Sequence, residues 1–329
     1  MKEASFYKKN NGDLQCTLCP HFCVIKNEKS GICRVRTNHD SILYSDIYGE
    51  VTAAAMDPIE KKPLYHFYPS SSIFSIGTKG CNFKCNYCQN HRISQNPYVD
   101  SENYSPDEIV DAAVRSNAMG IAYTYSEPII WIEFVLDCAK LARNKGLKNV
   151  MVTNGYINEE PLSELLKVTD AMNIDLKTFD DKTSSIVHKG NLSNVKKTIE
   201  QVCHSSCHLE VTTLIVTDIN DTLEEMTMIA DFLSENNDSI PWHLSRYHPE
   251  YKYNAPATNI DLMMNVYAMA QKKLKYVYCG NIPSNFDGSD THCPQCNNVL
   301  IKRSGYMVEI VGIKNGKCKN CNHKSAIVQ

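Results

Sequence analysis

The sequence predicts an α/β fold, a partial (β/α)6 barrel of the TIM type, with a cysteine-rich segment in front of it and a zinc ribbon behind it. Three observations carry this expectation. Apolar runs of strand length alternate with helical patterns through the middle of the chain, which implies a parallel sheet with crossover helices. The polar residues suited to chemistry fall at the ends of those runs, where such barrels place their sites. Eleven of the fifteen cysteines lie in three tight groups, one within the alternating region and one on each flank.

The elements follow in order. Residues 73–77 read as the first strand. Ser105, Pro106 and Glu108 announce a helix over 109–118, with Ser as N-cap, Pro in the first turn and Glu completing a capping box. Residues 121–125 form a second strand, and 129–145 a long helix closed by Gly146. The pattern then gives strand 149–153, helix 161–168, strand 171–176, helix 194–203, strand 208–216, helix 223–236, strand 242–245, helix 260–274 and strand 276–279. The expected organisation is a metal-binding segment at 1–70, a core barrel at 71–285 and a ribbon at 286–329.

Length and composition narrow the function classes. The 329 residues suit one catalytic domain with small appendages, and the net charge of −3 mixes both signs. Neither nucleic acid nor an anionic membrane is indicated as a partner. Residues 1–15 lack the apolar core of a signal peptide, and no apolar run is long enough to span a bilayer. A cytoplasmic location is therefore expected. There, cysteines in tight groups point to metal rather than disulfides, whereas the scattered Cys138, Cys203, Cys207 and Cys279 read mostly as buried thiols.

The central group, Cys81, Cys85 and Cys88, has CxxxCxxC spacing. Three thiolates on one short loop can hold three corners of a [4Fe–4S] cubane and leave one iron open, which suits catalysis rather than plain electron carriage; a zinc loop is the alternative. The C-terminal group, Cys293 and Cys296 followed by Cys318 and Cys321, forms two CxxC knuckles around an expected hairpin of 299–303 and 307–313. This is the pattern of a zinc ribbon with closed S4 ligation, a rubredoxin-like iron site being the alternative. The ribbon lacks a dense basic stripe with aromatics, so a structural or docking role is expected over nucleic-acid binding. The N-terminal Cys16, Cys19, Cys23 and Cys33 should also hold a metal; zinc is favoured over an auxiliary cluster because their spacing fits no ferredoxin pattern.

The CxxxCxΦC loop, with Tyr87 before its last cysteine, resembles the signature of the radical S-adenosylmethionine (SAM) superfamily. The resemblance implies that the open iron chelates the methionine moiety of SAM, and that reduction yields a 5′-deoxyadenosyl radical for hydrogen abstraction. Tyr125-Ser126-Glu127-Pro128 resembles the family's GGEP element, with Tyr-Ser in place of Gly-Gly. Thr153-Asn154-Gly155, Asp175-Leu176-Lys177, Lys189-Gly190 and His243 resemble elements of glycyl-radical-enzyme activases such as pyruvate formate-lyase activating enzyme. The resemblance implies cofactor-binding roles for Tyr87, Ser126, Glu127, Asn154, Asp175, Lys177 and His243, with Asp175, Lys177 and Arg246 as catalytic candidates. Arg246 and His248 would bind an acidic substrate or order their loop.

Together with the N-terminal CxLCPHxC…GxCxVR segment and the WHxSRYHP segment, the chain resembles the radical enzymes of the AmmeMemoRadiSam system. That resemblance implies a reductant such as flavodoxin or ferredoxin, and Memo-like or AMMECR1-like proteins or a protein substrate as partners. Two other readings stand beside hydrogen abstraction from an unknown substrate. One is activation of a glycyl radical enzyme. The other is a non-catalytic iron–sulfur or zinc adaptor.

Overall fold

Seven parallel strands occupy the middle of the chain, and an antiparallel strand precedes them. The computed structural model describes residues 1–10, 12–282 and 288–329; the expected boundary at 285/286 lies outside the described residues. The strands are β1 (Ala53–Pro58), β2 (Ser72–Gly77), β3 (Gly120–Tyr123), β4 (Lys148–Thr153), β5 (Ala171–Asp175), β6 (His208–Ile215), β7 (Trp242–Arg246) and β8 (Val277–Gly280). They form one sheet in sequential order, with β1 antiparallel to β2 and every other pair parallel. Among the described residues no pairing joins β8 to β1, so the sheet is open.

Six helices make the crossovers: α1 (Pro106–Arg115), α2 (Ile132–Asn144), α3 (Glu159–Leu166), α4 (Leu192–Cys203), α5 (Leu223–Asn237) and α6 (Ile260–Ala270). The α1 start follows the sequence expectation. Ser105 Oγ accepts from the Glu108 amide, and the Glu108 carboxylate accepts from the Ser105 amide at 2.7 Å. The long helix expected at 129–145 begins instead with a 3-10 turn, Pro128–Trp131, because the Glu127 carboxylate caps it at the Ile129 amide. β3 is buried along its whole length, as a strand covered on both faces must be.

Residues 59–70 plug the end of the sheet where the parallel strands begin. Ile59, Leu64 and Phe67 pack there against Ile73, Ala122, Val150 and Ala171. Inside the sheet, the buried Asp57 carboxylate accepts from Lys62 Nζ at 2.7 Å, Lys61 Nζ at 2.9 Å and Tyr125 Oη at 2.6 Å. Burial alone would raise the Asp57 carboxyl; these donors pull it well below the ordinary range.

The cysteine-rich segment folds into two small antiparallel sheets, Lys2–Glu3/Ile42–Ser45/Arg36–His39 and Tyr7–Asn10/Asp13–Cys16/Val24–Ile25. It docks on α2. Arg36 and Glu133, each 1% exposed in their side chains, meet in a bidentate pair at 2.9 Å, and the Ser5 amide donates to the same carboxylate. Trp131 Nε1 donates to the Ile47 carbonyl at 2.7 Å across the same seam. The C-terminal part contains the expected hairpin, Val299–Ser304 against Met307–Ile310. It attaches to the plug: Phe67 bridges Val328, and Arg303 donates to the Tyr65 carbonyl at 2.8 Å while lying over the Tyr65 ring.

Glu133→Ala should cost about 3–5 kcal/mol, because it leaves the buried Arg36 unpaired, read as a fall in the urea midpoint. Burial would raise the Glu133 carboxyl, but Arg36 holds it below its ordinary value. The pair's contribution is thus complete above the unfolded glutamate pKa of about 4.3 and is lost as pH falls below it; in Glu133→Ala that share of the acid sensitivity should be missing. Tyr125→Phe should cost about 1.5–3 kcal/mol by the same measurement, the usual worth of a hydrogen bond to a charged group.

Candidate active site and metal centres

The loop that leaves β2 carries Cys81, Cys85 and Cys88, and it is fixed from several sides. The Phe83 amide lies 3.3 Å from Cys81 Sγ, and Cys88 Sγ lies 3.2 Å from Ser94 Oγ. Asn82 donates to the Tyr156 carbonyl at 3.0 Å and accepts from Asn154 Nδ2 at 2.8 Å. The Lys84 amide donates to the His188 carbonyl, and the Lys252 amide donates to the Asn86 carbonyl. Tyr87 is buried and its hydroxyl donates to His188 Nε2 at 2.6 Å. Burial, with Lys177 nearby, lowers the His188 pKa to about 3, so the ring is neutral and can accept. Gly190 lets this segment approach: a Cβ there would stand 2.5 Å from the Phe83 ring.

Around the loop stand the ends of β3, β4 and β5. Glu127 is 2% exposed. Its carboxylate accepts from Thr153 Oγ1 at 2.6 Å, the Asn154 amide at 2.8 Å and the Ile129 amide at 3.1 Å. Burial pushes its pKa up to about 7 against these hydrogen bonds. Three donors leave roughly one of its four acceptor positions open. Asn154 Nδ2 also lies 3.9 Å from Cys81 Sγ. Asp175, the last residue of β5, pairs with Lys177 at 2.8 Å. Burial opposes the Lys177 charge, but Asp175, Cys85 and Tyr87 together raise its pKa.

Ser126 Oγ, Thr78 Oγ1 and Asn86 Oδ1 are buried without a hydrogen-bond partner among the described residues. Buried polar atoms are normally satisfied, so orphaned ones on the cysteine loop and the β3 end fit a ligand that brings its own donors and acceptors.

Two expected site residues lie elsewhere or are otherwise engaged. His243 was expected at the end of its strand but is the second residue of β7. Its Nε2 meets Glu210 at 2.6 Å, and its ring packs on Tyr65 and Tyr278. Glu210 also accepts from the Tyr65 and His66 amides, so His243 belongs to the plug's network. Arg246 does end β7, and its Nε donates to the Thr258 carbonyl at 2.8 Å, which orders the following loop; His248 is exposed. Asn82 and His188 were not singled out from the sequence, although one follows the first loop cysteine and the other precedes Lys189-Gly190.

The C-terminal cysteines converge. All four sulfurs lie within 4.8 Å of one another, with Cys293–Cys321 at 3.6 Å and Cys296–Cys318 at 3.7 Å. Of the N-terminal four, Cys16, Cys19 and Cys33 are buried and Cys23 is partly exposed. Of the scattered cysteines, Cys138, Cys207 and Cys279 are buried and Cys203 is partly exposed.

Comparison with known proteins agrees with this arrangement. A model of the radical SAM superfamily matches residues 75–233. The uncharacterized protein MJ0808 of Methanocaldococcus jannaschii is 41% identical over the full length of both chains. A putative glycyl-radical enzyme activating enzyme of the same organism, MJ1632, is 29% identical over 64% of this chain and 81% of its own. The pyruvate formate-lyase-activating enzyme of Clostridium pasteurianum is 23% identical over 60% of this chain and 84% of its own. A three-cysteine loop at the head of a parallel sheet and relatives of this kind lead to one assignment: the chain is an enzyme that carries a radical SAM domain.

Proposed function

We propose that Cys81, Cys85 and Cys88 hold a [4Fe–4S] cluster whose remaining iron binds SAM. The observation that carries this reading is the three-thiol loop bordered by the orphaned Ser126 Oγ, Thr78 Oγ1 and Asn86 Oδ1. When bound, the cluster would supply one electron to the sulfonium, releasing methionine and a 5′-deoxyadenosyl radical that takes a hydrogen atom from the substrate.

The remaining parts of the site fall to this chain's own residues. The last acceptor position of Glu127, beside Ser126, suits the ammonium of the methionine moiety. Asn154 braces the loop through Asn82 and orients Glu127 through its amide. Tyr87 and His188 hold the loop's far side. Asp175 and Lys177 form a charged pair at the mouth, suited to the ribose and to the substrate. Arg246 acts by ordering the loop after β7, and His243 by fixing the plug through Glu210. The core would be a partial barrel spanning about residues 71–285.

For the C-terminal group the donor set fits zinc. A tetrahedral ion with Zn–S bonds of about 2.3 Å spaces its sulfurs by about 3.8 Å, close to the 3.6 and 3.7 Å separations found. Its attachment to the plug, at the opposite end of the sheet from Cys81, favours a structural role. The names of MJ1632 and the Clostridium enzyme favour one particular substrate class, a glycine of a partner protein. We further place the chain in the AmmeMemoRadiSam branch, with a flavodoxin- or ferredoxin-type reductant and Memo-like or AMMECR1-like associates in the cytoplasm. This rests on the N-terminal CxLCPHxC…GxCxVR and WHxSRYHP segments. No helix among the described residues is long and apolar enough to cross a membrane.

Anaerobic protein reduced with dithionite and given SAM should form 5′-deoxyadenosine, and Cys85→Ala should abolish it. Persistence of the product in that variant would remove the reading. Cys318→Ser should lose its zinc by elemental analysis and unfold at lower temperature, since the ribbon's core is small: Leu300, Ile301, Ile313 and Ile327 beside the cysteines.

A further inference from the structure

We propose that Cys16, Cys19, Cys23 and Cys33 hold a second [4Fe–4S] cluster, and that it passes electrons to the cluster at Cys81, Cys85 and Cys88. The electron-transfer part rests on the function proposed above; the metal assignment stands without it.

Both flanking groups have four cysteines, and all eight residues are described. The C-terminal four close to the dimensions of a single tetrahedral ion. They are the set of metal-ligating side chains, among the described residues, whose ligand atoms all lie within 4.8 Å of one another. The N-terminal four do not contract to that scale, although they are buried or packed in one core. A cubane has this property: its four irons and four sulfides stand between the thiolates and spread them farther than one ion does.

The backbone supports a fixed, open arrangement of the thiols. The Cys16 amide donates to the Cys23 carbonyl at 3.0 Å, and the Phe22 amide to the Cys19 carbonyl at 3.1 Å, so two hydrogen-bonded turns hold three of the cysteines. The Arg34 amide closes a turn on the Gly31 carbonyl around Cys33. Leu14, Leu18, Ile25 and Val35 are buried in the same core as these cysteines and keep the site dry.

Position gives the role. His21, inside the N-terminal group, donates from Nε2 to the Asn82 carbonyl at 2.8 Å. The carbonyl of Cys33 packs on Gly80: a Cβ there would stand 3.1 Å from that oxygen and 2.9 Å from Val35, and Gly80 has φ +93°. The segments that carry the two cysteine groups are therefore in direct contact. A structural ion has no need of this position, and the zinc-sized group is at the far end of the sheet. Cys23 is the partly exposed corner, next to the exposed Phe22 and Val24, which gives the outer group an edge at the surface.

The step is balanced as single-electron transfers. A low-potential one-electron donor protein of the flavodoxin or ferredoxin class is oxidised by one electron, which reduces the outer cluster from its 2+ to its 1+ level. The outer cluster returns to 2+ as the inner one is reduced, and one donor electron is consumed for each SAM cleaved.

The test uses the full chain purified anaerobically. About eight irons and one zinc per chain are expected, and the dithionite-reduced protein should give two paramagnetic signals, of which SAM shifts one. About four irons and two zincs would overturn the proposal. Cys19→Ser/Cys23→Ser should lose about half the iron while the SAM-shifted signal stays, and inner-cluster reduction by flavodoxin should slow far more than reduction by dithionite. Equal slowing with both reductants would remove the electron-transfer role, and loss of zinc in place of iron would remove the cluster. In Cys81→Ser/Cys85→Ser/Cys88→Ser the unshifted signal should remain and the SAM-shifted one vanish. If instead that variant keeps all its iron, the catalytic reading fails and the outer cluster does not.

Discussion

The Arg36–Glu133 pair is the interaction on which the arrangement of the site depends. Both partners are out of water, and their two hydrogen bonds at 2.9 Å fix orientation as well as distance. An ion pair of this kind is not an economical source of stability, since desolvation offsets much of its attraction. It does specify geometry. Arg36 lies three residues beyond Cys33, and Glu133 opens the helix that follows Glu127. The pair thus locks the N-terminal thiols to the element carrying the candidate methionine-binding carboxylate. Trp131 and Ile47 close the same seam with an uncharged hydrogen bond. The contact of Cys33 with Gly80 follows from that alignment.

The parallel sheet gives the molecule two unlike ends. Strand ends β2 to β5 gather the three-cysteine loop, Glu127, Asn154 and Asp175, and leave buried polar atoms without partners. The strand starts are filled by the plug, where Glu210 accepts from His208, His243 and two backbone amides. The C-terminal module is attached to the filled end.

Much of this was legible in the sequence, for reasons that can be named. Crossover helices and buried parallel strands have strong periodicity, and the capping box at Ser105 and Glu108 gave the α1 start almost to the residue. Cys81, Cys85, Cys88, Glu127, Asn154 and Asp175 could be placed because strand ends are where apolar runs stop. His243 was misplaced because it lies at the start of its strand, within an apolar run, and its pairing with Glu210 depends on a register between β6 and β7 that no local pattern encodes. β1 went unread because Ala53–Pro58 is rich in alanine and ends in proline, both poor strand signals. Cysteine spacing marked three candidate metal groups, but spacing along the chain does not give sulfur separation in space. That quantity distinguishes the two flanking groups.

The Tyr125-Ser126 step bears most directly on how the sequence departs from the Gly-Gly pattern it resembles. Tyr125 has φ +67°, a left-handed conformation that glycine adopts freely and a bulky residue adopts at a cost of about 1–2 kcal/mol. The side chain offsets that cost. Its hydroxyl donates to Asp57, and its ring lies 4.5 Å from the Lys62 ammonium, both groups being buried. The backbone shape that glycine would supply through freedom is here imposed by a tether, and the tether ends in the plug. Ser126 and Glu127 are consequently held by the opposite end of the sheet as well as by their own strand. A turn anchored this way loses little entropy when a ligand binds, which is the physical advantage of tyrosine over glycine at this position.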